Sequence, residues 1–323
     1  MTNSQELIEH REETVATTHS VRAQTAVIIN ATSGANDKEE AYARLQEFFK
    51  ERGGEGFRLM LARTGAEIEE MARRAIAEDY QTIVAGGGDG TVSAVASKLV
   101  GTTRTLGVLP MGTLNHFAKD MGIPLDLEAA AAVLLEGREV MVDVGEVNGR
   151  SFVNNSSLGL YPHIVRHREK QQARLGRGKW TAFFWATLAV LRRYPFLNVR
   201  LSTDDQRLVR RTPFIFVGNN EYQMESFDIG ARSCLDAGQL SLYMANRTGR
   251  WGLLRLALRA LFGGLRAEKD FHAFCTKEVW IETRRRRLRV ATDGEVTIMK
   301  SPLHYRVLPG ALRVVVPLEN RKS

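Results

Sequence analysis

A chain of 323 residues with 44% hydrophobic content can bury more than one core, which excludes wholesale disorder and makes two domains the natural reading. Its 45 Lys and Arg outnumber 37 Asp and Glu, and the formal net charge of +8 points to an anionic partner without choosing among nucleic acid, a membrane surface and polyphosphate. The two cysteines, Cys234 and Cys275, exclude a disulfide framework and a Cys/His zinc site, so a reducing cytosol is the expected compartment.

Residues 1–24 are polar, of mixed charge and without the apolar core of a signal peptide, and read as a flexible tail. Thr25 to Ile29 reads as a strand running into the small polar loop Asn30-Ala31-Thr32-Ser33-Gly34, and Asp37 to Arg52 has helical periodicity through Tyr42, Leu45, Phe48 and Phe49. Phe57 to Ala62 is a second strand, ending at Arg63-Thr64-Gly65-Ala66, with a helix from Glu67 to Glu78.

Gln81 to Ala85 is a third, buried-type strand, and Val92 to Val100 a helix. Between them lies Gly86-Gly87-Gly88-Asp89-Gly90-Thr91. The first amides of a helix lack intrahelical partners, and glycines let an anion reach them, so this junction suits a phosphate. Asp89 would repel that phosphate unless a Mg²⁺ lay between them, and Thr91 can cap the helix or bind phosphate. The loop lacks the Gly-Lys-Ser/Thr ending of a Walker A loop and the spaced glycines of a dinucleotide fingerprint. By itself it reads equally well as a tight turn with Asp89 as N-cap.

Thr105 to Leu109 is a fourth strand, leading into Pro110-Met111-Gly112-Thr113-Leu114-Asn115-His116, and a helix over Ala129 to Leu135 closes the first domain near Val140. Repeated strand-helix alternation predicts a parallel sheet covered on both faces, with the polar loops gathered at the carboxyl ends of its strands. From Asp143 onward short alternating runs at 151–153, 197–201, 213–217, 240–243, 279–281 and 288–290 predict antiparallel strands, interrupted by helical stretches near 164–194 and 248–268. Leu312 to Pro317 is a last strand that can return to the first domain.

Asn30-x-x-Ser33-Gly34, Thr64-Gly65-Ala66, Gly86 to Thr91, Pro110-x-Gly112-Thr113-x-Asn115 and Asp293-Gly294-Glu295 occur in the order found in the diacylglycerol kinase catalytic family, which the chain resembles over nearly its whole length beyond the tail. That family includes sphingosine and ceramide kinases and has a fold like that of NAD kinase. The resemblance implies a three-layer α/β nucleotide-binding domain, residues 25–142 plus 308–323, and an antiparallel β-sandwich domain with helical insertions, residues 143–307.

It implies ATP- and Mg²⁺-dependent transfer of the γ-phosphoryl group to a lipid hydroxyl. Asn30, Thr32, Ser33, Gly34, Thr64, Gly87, Gly88, Asp89, Gly90, Thr91, Val92, Ser93, Gly112, Thr113 and Asn115 would bind nucleotide, with Asp89 holding the metal. Glu295 is the first candidate for the carboxylate base and Asp293 the second. Two departures stand out: His116 occupies a position that is Asp in many members, and the turn Leu235-Asp236-Ala237-Gly238 has its acid one place early, so no second metal site is expected.

The longest apolar run, Trp180 to Leu191, is shorter than the roughly 20 residues that span a bilayer. It and the arginine-bearing stretch Gly249 to Arg266 read either as packed helices or as helices in a membrane interface. Arg284 to Arg287 reads as a hairpin turn that can also meet anionic lipid. Nucleic acid is not an expected partner, because no recognition motif accompanies the charge. His116, His163, His167 and His304 lack metal-ligand spacing. The expected protein is thus a cytoplasmic, membrane-visiting lipid kinase, with homodimerisation left open. The competing readings are a kinase of a soluble acceptor and an inactive nucleotide-binding regulator.

Overall fold

The structure, a computed structural model, describes residues 24–32, 38–52, 56–159, 196–203, 207–220, 238–245 and 271–318. Residues 1–23 of the expected tail, both helical stretches, Ser33, Gly34, Leu235 to Ala237, His163 and His167 lie outside the described residues.

Strands β1 (Thr25–Asn30), β2 (Phe57–Ala62), β3 (Thr82–Gly87) and β4 (Thr105–Pro110) pair in parallel in the order β2-β1-β3-β4. Every position of β3 is buried, as a continuous apolar run in a sheet covered on both faces requires. Helices α1 (Lys38–Glu51), α2 (Gly65–Ala77) and α3 (Asp89–Leu99) join these strands, and α4 (His116–Asp120) and α5 (Leu127–Glu136) follow β4. Two helix starts are set by local chemistry. The Thr64 hydroxyl accepts the Glu67 N–H at 3.2 Å while the Glu67 carboxylate accepts the Arg63 N–H at 2.8 Å, and Asp126 accepts the Ala129 N–H at 2.9 Å. Because the chain leaves β1 on one side for β2 and leaves β3 on the other side for β4, a crevice opens between the carboxyl ends of β1 and β3.

The second half is antiparallel. Strands β7 (Asn155–Gly159), β10 (Phe214–Asn219), β11 (Leu240–Ala245), β12 (Phe271–Thr276), β14 (Arg287–Thr292) and β15 (Glu295–Lys300) form one sheet in the order β12-β11-β10-β7-β14-β15. Strands β8 (Leu197–Ser202), β9 (Arg207–Thr212) and β13 (Glu278–Thr283) instead extend the first sheet. The two layers enclose a second core: Val199, Ile281 and Tyr305 from one, Leu158, Ile215, Leu242 and Val290 from the other. The Tyr305 hydroxyl, 3.0 Å from Ser156 Oγ, is pushed far above its ordinary pKa by burial and stays neutral.

The halves share a spine. β16 (Leu303–Val316) pairs with β13 through its first residues and, in parallel, with β4 through Arg313 and Val314, while β5 (Arg138–Val147) runs antiparallel along its length. The sequence shows only its final residues as a strand because Pro309-Gly310 looks like a terminator. In the structure that dipeptide forms a bulge between Leu308 and Leu312, with Gly310 at φ 55°. β5, with β6 (Arg150–Phe152) paired to it, is a strand absent from the sequence reading.

Asp143 of β5 fixes the bulge. One of its oxygens accepts the Gly310 N–H at 2.9 Å and the other the Gly238 N–H at 2.6 Å. Asp143→Ala would strand both donors in a buried site, so it should cost about 3 kcal/mol of unfolding free energy in urea titrations, and a loss below about 0.5 kcal/mol would rule out this brace.

Candidate active site

The phosphate-type loop lies at the crevice. Gly88 is the N-cap of α3, and the Thr91 and Val92 N–H groups return to its carbonyl at 2.9 and 3.1 Å. The Asp89 and Gly90 amides donate to nothing among the described residues, which leaves two donors at the positive end of a helix dipole. A methyl at Gly87 would stand 2.3 Å from Thr91 Oγ1, whereas at Gly65 and Gly90 it would meet nothing within 4 Å. Those two open glycines border the crevice, as an anion cradle requires.

Several polar side chains that read as ligands in the sequence brace the loops. Asn30 Nδ2 donates to Thr91 Oγ1 at 3.0 Å, joining the β1 and β3 loops, while Asn30 Oδ1 accepts the N–H and hydroxyl of Thr32 at 3.0 and 2.8 Å. Buried Asn115, in the left-handed region at φ 51°, accepts the Gly112 N–H and donates to the Gly112 carbonyl, both at 3.0 Å. Asp89 Oδ1 accepts the Phe117 N–H at 3.1 Å and so ties α3 to α4. Thr64 caps α2, Thr113 is exposed, and Val92 is buried in the first core. His116 is exposed at the start of α4.

The motif Asp293-Gly294-Glu295 is the tip of the β14–β15 hairpin, its two-residue turn made by Asp293 (φ 46°) and Gly294 (φ 86°). The carboxylate of Asp293 accepts four hydrogen bonds: Ser93 Oγ at 2.6 Å, Val153 N at 2.8 Å, Asn154 N at 2.8 Å and Asn155 N at 3.0 Å. Burial pushes its pKa above the usual carboxylate value, against the pull of those four donors. Glu295 is different. Its side chain is 69% exposed, one oxygen takes a hydrogen bond from Arg150 Nη2 at 2.5 Å, and the other has no partner among the described residues.

Both halves meet at one cleft of about 740 Å³, bordered by Asn30, Gly65, Glu69, Gly88, Thr91 and Glu295. Glu69 is held below the ordinary carboxyl pKa by Lys98 at 2.8 Å, with Arg73 and Arg150 adding to the pull. Glu69, Lys98 and Arg150 carry no motif, and only the fold brings them here. Among the described residues no three His, Cys, Asp or Glu side chains could hold a metal. The donor set nonetheless fits a Mg²⁺ carried largely by phosphate and water, because Asp89, the residue after the cap Gly88, keeps one oxygen, Oδ2, without a partner among the described residues. No described helix is long and apolar enough to cross a membrane.

The chain is similar to known proteins over most of its length. A family model for the diacylglycerol kinase catalytic domain matches residues 24–147, and one for the YegS C-terminal NAD kinase beta sandwich-like domain matches residues 162–316. A protein of Klebsiella pneumoniae (strain 342) named "Probable lipid kinase YegS-like" is 42% identical over 102 residues, 30% of this chain and 34% of its own length. A protein of the same name from Pseudomonas aeruginosa is 30% identical over 258 residues, 78% of this chain and 82% of its own. This chain thus spans about a third of the first relative and about four fifths of the second. The crystal structure of a diacylglycerol kinase from Bacillus anthracis str. Sterne has the same fold, with a TM-score of 0.65 at 20% identity over 91% of this chain and 97% of that one.

The close approach of two loops gives a test. A Cβ at Gly112 would lie 2.4 Å from the Gly88 Cα, so Gly112→Ala must force the β4 loop off the cradle. Overpacking of this kind costs about 1–3 kcal/mol, so calorimetric titration with ATP should show affinity lowered roughly tenfold or more. Affinity within about twofold of wild type would show that the cradle does not need this contact.

Proposed function

The chain belongs to the diacylglycerol kinase family of lipid kinases with YegS-like members, and from that premise we propose that it transfers the γ-phosphoryl group of ATP to the hydroxyl of a diacylglycerol or sphingoid-like lipid. The observation that carries this reading is the shared cleft: a glycine-rich amide cradle on one wall and the exposed carboxylate of Glu295 on the other.

The cradle residues bind and orient. The Asp89 and Gly90 amides receive phosphate oxygens, and Asn30, Thr91 and Asn115 keep the loops in the shape that presents those amides. When bound, Mg²⁺ neutralises phosphate charge, and Asp89 is the residue that would hold it. Glu295 accepts the proton as the lipid oxygen bonds to the γ-phosphorus and the bond to the β-phosphate bridging oxygen breaks, releasing ADP. Glu295 is favoured over Asp293 because four donors occupy the oxygens of Asp293, whereas one Glu295 oxygen is open among the described residues. Glu295→Gln should spare ATP binding and cut transfer of ³²P to diacylglycerol in mixed micelles by about 10²–10⁴-fold, and turnover near wild type would remove Glu295 from the role of base.

A peripheral contact with anionic membrane is part of the same proposal. Arg284, Arg285, Arg286 and Arg287 are exposed in the β13–β14 turn, with exposed Arg211 on β9 and Lys300 opposite Arg287. Each basic residue near an anionic surface is worth ~1 kcal/mol, so changing the four turn arginines to Ser should lower co-sedimentation with phosphatidylglycerol vesicles at least roughly tenfold. Equal partition of variant and wild type would dismiss this surface.

A further inference from the structure

We propose that Asp293 and Ser93 form a latch that fixes Glu295 over the phosphate loop, so that the pair governs the rate of phosphoryl transfer and leaves nucleotide affinity alone; the inference rests on the kinase reading above. Asp293 precedes Glu295 by two residues, and its side chain is spent on holding the turn. Oδ2 accepts from Ser93 Oγ at 2.6 Å and Val153 N at 2.8 Å, and Oδ1 from Asn154 N at 2.8 Å and Asn155 N at 3.0 Å. A carboxylate offers about four lone-pair sites, and these four donors fill them. The Asp293 N–H adds a fifth bond, to the Asn155 carbonyl at 2.8 Å.

Three of the four donors are backbone groups, Val153 and Asn154 of the segment joining β6 to β7 and Asn155 at the start of β7. Ser93 alone comes from α3, the helix whose first amides form the cradle. Its hydroxyl is therefore the direct link between the phosphate loop and the catalytic turn. A hydroxyl has one hydrogen to donate, so Ser93 cannot give it to a nucleotide phosphate while it is given to Asp293. That separates the latch from the role of nucleotide ligand that the sequence motif implies for Ser93. Ser93 thus acts as a positioning residue, through Asp293, on Glu295. Misplacing a reacting group by 1 Å can cost about 100-fold in rate.

The test uses the full chain and three variants, Ser93→Ala, Ser93→Thr and Asp293→Asn. Ser93→Ala should lower kcat by about ten- to a hundredfold while KM for ATP and the calorimetric Kd stay within about twofold, and Ser93→Thr, which keeps the hydroxyl, should restore most of the rate. Asp293→Asn replaces one acceptor oxygen by an N–H₂ facing the Val153 N–H and should lower kcat likewise. Hydrogen exchange of the amides of residues 293–296 should quicken in Ser93→Ala. Loss of ATP affinity in step with loss of rate would make Ser93 a phosphate ligand and overturn the latch, as would unchanged kcat or unchanged exchange. A wild-type protein that labels no lipid would instead defeat the kinase reading, and the exchange measurement would still judge the latch.

Discussion

The position of the hairpin tip depends on one enclosed carboxylate, because Asp293 gathers donors from the β6–β7 segment and from α3. Unpairing any of these donors would cost of the order of 1–3 kcal/mol, so the tip, the segment and the helix are held to one geometry. The shared strand reinforces that geometry from below. β16 lies in the parallel block at one end and beside β13 at the other, and Asp143 clamps the bulge where it changes direction. The two lobes share the ten-stranded sheet, and the six-stranded sheet that carries Glu295 packs against it through the second core, which is how a carboxylate from that sheet comes to border the same cleft as the glycine loop.

The cradle follows a related economy. An anion bound by backbone amides requires those amides to be still, and stillness in a glycine-rich loop has to come from elsewhere. Here it comes from the polar side chains. Asn30 ties the loop after β1 to Thr91, Asn115 closes its own turn on Gly112, and Asp89 holds the Phe117 N–H of α4 with one oxygen. The residues that define the motif thus serve largely as struts, and the glycines serve as the surface.

How much of this the sequence reveals depends on how local the cause is. β1, β3 and β4 are legible because a strand buried on both faces must be an unbroken apolar run, whereas the start of α2 reads two residues late because Thr64, which caps it, resembles a ligand. β16 is legible only after Leu312, since Pro309-Gly310 signals a stop that the bulge turns into a bend. β5 is missed because its alternating valines follow directly on a helix and read as that helix's end. At the site, the glycine loop and Glu295 are found through motifs. The bond from Ser93 to Asp293 joins residues 200 apart, and that from Arg150 to Glu295 joins residues 145 apart, and no spacing rule encodes either pair.

The charges around the cleft explain why those long-range pairs matter. Glu69 and Glu295 border the cleft proposed to hold a phosphate, and by themselves they would repel an anion there. Lys98 and Arg73 bond Glu69, while Arg150 bonds Glu295 and is close enough to pull on Glu69 as well. Each carboxylate bordering the cleft therefore has a cation beside it: Arg73 of the same helix for Glu70, Arg73 and Lys98 of α3 for Glu69, and Arg150 of β6 for Glu295. A carboxylate paired in this way adds little net repulsion to an incoming phosphate. The basic residues inside the cleft are thus balanced against acids, and the chain's surplus positive charge falls elsewhere, including the arginine turn at the opposite end of the hairpin that carries Glu295.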